Sequence, residues 1–266
     1  MILKEIGMRI GCIGFGNMAQ AIVQGLIKQE KIDPSMISVC AAHYDRCQQN
    51  AKKYGVQAYE SSLEVIQNSD WILLAVKPYQ ISAVLEPIKE ELVSKVVVSI
   101  AAGVYFEDYE KMLVSGTHHI SSIPNTPVMI GKGIFVSESK NSLDENEVKV
   151  FEEVFGSLGL VEWIETSHLS IAGTIAGCAP AYTAMYLEAL GDAGVKHGLT
   201  RAQAYRLAAQ MIEGTGSLYL AQGQHPAQMK DAVCSPGGTT IKGVASLEKN
   251  AFRGIVIEAI DSVETD

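Results

Sequence analysis

No apolar run reaches the roughly 18 residues that a membrane span needs, and no charged-then-apolar leader opens the chain. The sequence therefore predicts neither a spanning segment nor a targeting peptide. Cysteine is sparse. Cys12, Cys40, Cys47, Cys178 and Cys234 are odd in number, and no two stand at C-x-x-C spacing. That argues against a disulfide framework and a thiolate metal site, and it suits buried thiols in a reducing cytoplasm. Positive charge is also short, with 21 Lys and Arg against 30 Asp and Glu for a net charge of −9. Without a basic stripe nothing can neutralise a run of phosphates, so neither nucleic acid nor an anionic bilayer is expected as a partner. The sharpest deficit is local: from Val150 to Val195 there is no Lys or Arg at all. A carbonyl reductase of the hydroxyacid type would need a general acid, commonly a lysine, near there to protonate an alkoxide.

What is present is a chain that is 47% hydrophobic and 19% charged, enough for one large or two modest cores. Met1 to Gly7 read as a short extension ahead of Met8. Met8 to Ile13 form an apolar run that passes into Gly14-Phe15-Gly16-Asn17-Met18-Ala19 and then a helical pattern through Ile22, Val23, Leu26 and Ile27. The G-x-G-x-x-A spacing has physical content. Gly14 permits the tight turn, Gly16 admits a pyrophosphate to the backbone, and Ala19 lets helix and strand pack closely. A second strand, Met36 to Ala41, ends in Ala41-Ala42-His43, where an NAD enzyme would carry an acid for the ribose hydroxyls. None is there. His43 and Arg46 stand nearby as partners for a phosphate, which favours NADP, although Arg46 reads equally well as a solvated helix residue.

The alternation continues with strands at Val56 to Tyr59, Trp71 to Val76, Val96 to Ile100, His118 to Ile123, near Gly133 to Val136, and Leu160 to Ile164. Helices are expected at Ser61 to Asn68 and Leu143 to Phe155. Val76, Lys77 and Pro78 follow a strand's carboxyl end, where ligands bind in this architecture; Lys77 serves equally as a surface lysine before a helix-starting proline. Ala101-Ala102-Gly103 would let a ligand approach the backbone, or simply turn the chain. His118 and His119 point to opposite faces of a strand and make a poor metal pair. From Thr166 onward strand signals vanish. Thr200-Arg201-Ala202-Gln203 reads as a capping box for a helix reaching Leu220, and Pro226 as the first residue of another. The fold class is thus an α/β Rossmann domain over residues 1–165, doubly wound on a mainly parallel sheet, then an all-α domain over 166–266. The charge-poor stretch from Leu169 to Leu190 suggests burial against a second copy.

Near the carboxyl end, Ser235-Pro236-Gly237-Gly238 cannot be helix interior, while Thr239-Thr240-Ile241 opens a helical pattern. A glycine turn feeding a helix offers unpaired N–H groups to a carboxylate or phosphate. The same pattern alone would also serve a plain loop with a threonine cap.

In this order the pieces resemble the pyrroline-5-carboxylate reductase family. The resemblance runs from about Met8 to Asp261 and rests on Gly14-Phe15-Gly16-Asn17-Met18, Ala75-Val76-Lys77-Pro78, Ala101-Ala102-Gly103, Asn125-Thr126-Pro127, Pro180-Ala181-Tyr182, Gly194-Val195-Lys196 and above all Lys230 to Ile241. It implies a cytoplasmic enzyme of proline synthesis that uses NADPH, with NADH also possible, and whose helical domain interlocks with a partner into a dimer and assemblies such as a decamer. By the same resemblance Ser235, Gly237 and Gly238 hold the substrate carboxylate, Thr239 is a further substrate contact, and Thr240 bonds the ring nitrogen as the catalytic hydroxyl. Gly14, Phe15, Gly16, Asn17, Met18, Ala42, His43, Val76, Lys77, Pro78, Ala101, Ala102 and Asn125 are the implied cofactor contacts, with no metal. The chain departs from the family where a serine-bearing run is replaced by Ala176-Gly177-Cys178-Ala179, and where Ala41-Ala42-His43 lacks the usual Ser or Arg. A dinucleotide sensor without turnover is the rival of another class, and the intact turn at Gly237 and Thr240 argues against it.

Overall fold

The computed structural model describes residues 7–264, so the extension ahead of Met8 lies, through residue 6, outside the described residues. The chain divides into two compact units, the first ending at Gly177 and the second starting at Cys178.

The first unit is built on an eight-stranded sheet of order β3-β2-β1-β4-β5-β6-β7-β8. Its strands are β1 (Ile10–Ile13), β2 (Ile37–Cys40), β3 (Gln57–Ala58), β4 (Trp71–Leu74), β5 (Val96–Ser99), β6 (His118–Pro124), β7 (Gly133–Glu138) and β8 (Gly159–Ile164). All neighbours pair in parallel except β6 and β7. That antiparallel pair is possible because the link between them is short and carries no crossover helix. β4 reads Trp-Ile-Leu-Leu because both of its faces are covered. Trp71 and Leu73 join one core with Ile22, Leu26 and Phe151, whereas Ile72 and Leu74 join the other with Ile66, Leu85 and Tyr109.

Several helices begin at a side-chain cap. α1 (Asn17–Lys28) follows the glycine turn, and α2 (Tyr44–Tyr54) begins after His43. α3 (Ser62–Gln67) starts behind Ser61, whose hydroxyl accepts the Glu64 N–H at 3.2 Å while Glu64 Oε2 accepts the Ser61 N–H at 3.1 Å. α4 (Ile81–Leu85), α5 (Phe106–Met112) and α6 (Glu145–Gly156) complete the two layers. The helix expected from Leu143 starts later because Asp144 caps it, accepting the N–H groups of Asn146 and Glu147 at 2.8 Å each. β3 is shorter than expected because it pairs only with β2, at the sheet's edge.

Gly14 marks the point where strand order reverses, since β1 pairs with β2 on one side and β4 on the other. Its φ is +94°, and a Cβ there would sit 2.6 Å from the Ala75 carbonyl oxygen. Only glycine fits both constraints. The Gly14 N–H donates to the Cys40 carbonyl at 3.0 Å, pinning the turn to the end of β2.

Helical structure begins at Thr166, as the sequence suggests, but its first pieces pack with the sheet. Leu169 and Ala172 in α7 (Leu169–Gly173), together with Ala176, join Val136, Ile123 and Ile164 in a third small core. They therefore belong to the first compact unit. The second unit holds α8 (Ala179–Lys196), α9 (Arg201–Gln222), α10 (Pro226–Ala232), α11 (Thr239–Lys249) and α12 (Phe252–Glu264). Thr200 makes the expected capping box with Gln203, and Pro226 is the first residue of α10. Gly191 and Gly194 let α9 approach α8, because a Cβ at either would meet the Tyr205 ring or Ala204. Within this unit only Ala204 and Ala208 are buried among the described apolar side chains, while Met185 is 69% exposed, Leu207 63%, Leu220 70% and Ile257 60%. Apolar surface of this extent on several helices is a surface built to be covered.

Two outcomes follow from this packing. Gly14→Ala should cost about 2 kcal/mol or more of stability in urea denaturation, and an unchanged midpoint would contradict the close approach at Ala75. Light scattering should return at least twice the 28.6 kDa chain mass; the single-chain mass would refute the reading of the exposed helix faces.

Candidate functional site

A cleft of about 870 Å³ opens at the carboxyl ends of the central strands. Its lining brings together most of the residues singled out in the sequence. Gly14, Phe15, Gly16, Asn17 and Met18 form one wall at the start of α1. The first N–H groups of α1 have no helical partners, and Gly16 leaves open space at its own Cβ position, so an anionic group can reach this backbone. Ala42 and His43 line the cleft at the end of β2, and Val76, Lys77 and Pro78 at the end of β4. Lys77 is exposed, and its N–H donates to Gln80 Oε1 at 3.2 Å, which fixes the short 3₁₀ turn Pro78–Gln80.

Ala101 and Ala102 close the cleft beyond β5 and are braced from behind. The Ala101 N–H donates to Ser99 Oγ at 3.2 Å, and Ser99 Oγ lies 2.5 Å from the Tyr109 hydroxyl. Burial pushes the Tyr109 phenol up to about 12, so it stays protonated and the brace carries no charge.

The floor contains thiols. Cys40 and Cys47 line the cleft and Cys12 lies in the adjoining core. Burial raises all three, Cys47 to about 11, so they are neutral at physiological pH and poor nucleophiles. All five cysteines are free.

Several lining residues carried no clear mark in the sequence. Arg46 does line the cleft, and Asn50 stands one turn further along α2 on the same face; helical spacing from Arg46 could have found it. Glu60 and Ser62 are brought in by the pairing of β3 with β2. No local pattern announces that, because the contact is set by sheet order.

Asn125 is placed elsewhere. It does not line the cleft, whereas its neighbour Thr126 does. Asn125 is 6% exposed, its Oδ1 accepts the Ile134 N–H at 2.8 Å, and its Nδ2 donates to the Ala176 carbonyl at 2.9 Å. The side-chain amide thus ties the Ile134 backbone to the Ala176 carbonyl.

His118 and His119 part company as expected. His118 Nδ1 lies 2.6 Å from Glu147 Oε2, while His119 is buried with Nε2 2.8 Å from Glu110 Oε1. Among the described residues, His118, Asp144 and Glu147 form a group whose ligand atoms could hold a metal. Asp144 and Glu147 are already engaged in capping α6.

In the second unit, Ser235-Pro236-Gly237-Gly238 closes a tight turn, the Gly238 N–H donating to the Ser235 carbonyl at 3.0 Å. Proline second and glycine third, with φ of +68° at Gly237, is the pattern of a type II turn. A Cβ on Gly238 would meet Ser235 Oγ at 2.3 Å. Gly238 is the N-cap of α11 and no side chain caps that helix, so the N–H groups of Thr239, Thr240 and Ile241 stand without helical acceptors. Ser235, Gly237, Thr239 and Thr240 are exposed within this chain. The arrangement is a donor-rich nest with two hydroxyls beside it.

Comparison with known proteins covers both units. Residues 166–265 match the family model described as pyrroline-5-carboxylate reductase dimerisation, and residues 9–103 that described as NADP oxidoreductase coenzyme F420-dependent. The chain is 41% identical to a pyrroline-5-carboxylate reductase of Treponema pallidum, spanning 95% of this chain and 97% of that one. It is 40% identical to the enzyme of that name from Escherichia coli, over 95% and 94%. Among solved structures, the Plasmodium falciparum pyrroline carboxylate reductase with NADP bound superposes with a TM-score of 0.84 at 31% identity, covering 96% of this chain and 95% of that one. A pyrroline-5-carboxylate reductase from Coxiella burnetii gives 0.85 at 32%, covering 96% of each. With a Rossmann cleft, a glycine-threonine turn and identity sustained across both units, this chain belongs to the pyrroline-5-carboxylate reductase family.

Proposed function

We propose that this protein reduces 1-pyrroline-5-carboxylate to L-proline with a hydride from NADPH, as a cytoplasmic enzyme of proline synthesis. The observation that carries this reading is the sustained identity to relatives of that name across 95% of the chain. The bound cofactor supplies a hydride to the imine carbon. Gly14 to Met18, which line the cleft at the first turn, would hold its pyrophosphate through their backbone, and Val76 to Pro78 with Ala101 and Ala102 would wall its reactive half. The turn of Ser235, Gly237, Gly238 and Thr239 receives the substrate carboxylate through backbone N–H groups and hydroxyls. Thr240 orients the ring nitrogen and relays its proton.

A threonine hydroxyl is a weak acid at neutral pH, so most of the acceleration comes from holding carbon against hydride donor. An imine that arrives protonated needs little more. The absence of Lys and Arg from Val150 to Val195 fits imine rather than carbonyl reduction.

NADPH is the preferred cofactor in this reading. His43 and Arg46 line the cleft beyond β2, where an adenosine 2′-phosphate would find two cationic or donor groups. Glu60 lines the same cleft and opposes that preference, which leaves NADH usable. The functional division falls at residues 1–165 and 166–266, with the second part joining two copies into a homodimer and, through further contacts, a decamer.

Loss of NADPH absorbance on adding pyrroline-5-carboxylate tests the activity. Thr240→Ala should lower kcat about tenfold to hundredfold while leaving NADPH affinity unchanged. No oxidation by the parent protein, with NADPH still bound, would overturn the reductase reading in favour of a sensor. Arg46→Ala should raise the KM for NADPH about tenfold with little effect on that for NADH; equal shifts for both would remove Arg46 from the phosphate site.

A further inference from the structure

One buried side chain joins the cleft wall to the place where the chain leaves the first unit. Asn125 directly follows β6, and its backbone N–H donates to the Ile134 carbonyl at 3.2 Å while its Oδ1 accepts the Ile134 N–H at 2.8 Å. Held against β7 in this way, its Nδ2 donates to the Ala176 carbonyl at 2.9 Å, a bond between residues 51 apart in sequence.

The sequence explains why a side-chain donor is needed there. In an α-helix the donor to the Ala176 carbonyl would be the N–H of residue 180, and residue 180 is proline. Ala176 is only 4% exposed, so water is a poor substitute and a buried carbonyl must find a protein donor. Over Thr174–Cys178 the helix widens into a single π turn, the local departure from α geometry that frees backbone groups and recurs at functional positions. Val136 and Leu169 pack with Ala176 and hold this turn in the first unit. Thr126, the next residue after Asn125, lines the cofactor cleft.

We propose that Asn125 is a positioning residue, tying the cleft wall at Thr126 to the π turn at Ala176 so that its loss slows hydride transfer without weakening cofactor binding. This rests on the reductase reading above. The bond also compensates for the proline one turn beyond it, and that pairing makes the idea testable by rescue.

Asn125→Asp keeps the shape and the acceptor for Ile134 but, once ionised, sets a carboxylate oxygen in place of the donor to Ala176; burial raises such a carboxyl, so kcat is followed from about pH 7 to 9 to reach the ionised form. Pro180→Ala supplies the backbone N–H that α register would bring to the same carbonyl. Ionised Asn125→Asp should lower kcat at least about tenfold, because a buried charge adds to the loss of one hydrogen bond, with NADPH affinity within about twofold of the parent. Asn125→Asp combined with Pro180→Ala should regain a measurable part of that loss. A parallel drop in NADPH affinity, an unchanged kcat, or a double variant that recovers nothing would each overturn the proposal. Should Asn125→Asp fail to fold, a double variant that folds and turns over supports the clamp, and one that also fails to fold overturns it. If the parent itself does not reduce the imine, the reductase reading fails separately. Hydrogen exchange of the amides at 174–178 then decides the clamp: faster exchange in Asn125→Asp, slowed again in the double variant, supports it, and equal exchange overturns it.

Discussion

Between β1 and β4 two backbones approach until no side chain fits. The Cβ that Gly14 lacks would stand 2.6 Å from the Ala75 carbonyl, and the Gly14 N–H is already committed to Cys40. This close approach lies at the reversal in strand order, where α1 begins and the cleft opens. The lining then follows from topology: the residues after β1, β2, β4 and β5 all emerge on one side, because parallel strands end together. The braced pair Ala101 and Ala102 sits opposite the glycine turn as a consequence of β5 lying next to β4.

The two units are stabilised by different means. In the first, strands buried on both faces carry two apolar cores, with Val39, Ile72 and Leu74 wholly enclosed. In the second, long helices lie close at Gly191 and Gly194, yet their Met, Leu and Ile side chains remain on the surface. A single copy of such a unit gains little from the hydrophobic effect relative to the entropy of ordering five helices. Its match to a dimerisation module accounts for the missing interior. The turn that would bind substrate lies in this unit, exposed in one chain.

Much of this was legible in the sequence, and the exceptions have physical causes. The glycine turn at Gly14, the caps at Ser61 and Thr200, and the Pro-Gly turn at Gly237 are local, so a few residues specify each. Strand and helix ends shifted by one or two residues where a cap such as Asp144 claimed the boundary. Glu60 and Ser62 were invisible because the pairing of β3 with β2 brings them to the cleft. Asn125 stood out as part of a motif, but its role depends on two partners, nine and 51 residues away. No period or spacing encodes such a contact. Segment 166–177 is helical in pattern and sheet-bound in packing, a distinction that only the third small core reveals.

Where titration is clearly displaced in the cleft, it is displaced away from use. Cys40 and Cys47 are held up by burial, and the phenol behind Ala101 is held up too. None can exchange a proton near neutral pH. The turn likewise offers backbone N–H groups and hydroxyls rather than a base. A nest of backbone N–H groups suits a reaction that needs only a hydride and a substrate that carries its own proton, since fixed dipoles do not lose their orientation when pH changes. What the first unit supplies instead is precision in how its backbone is held, and the buried Asn125 amide, joining the π turn to the residue before Thr126, is part of that precision.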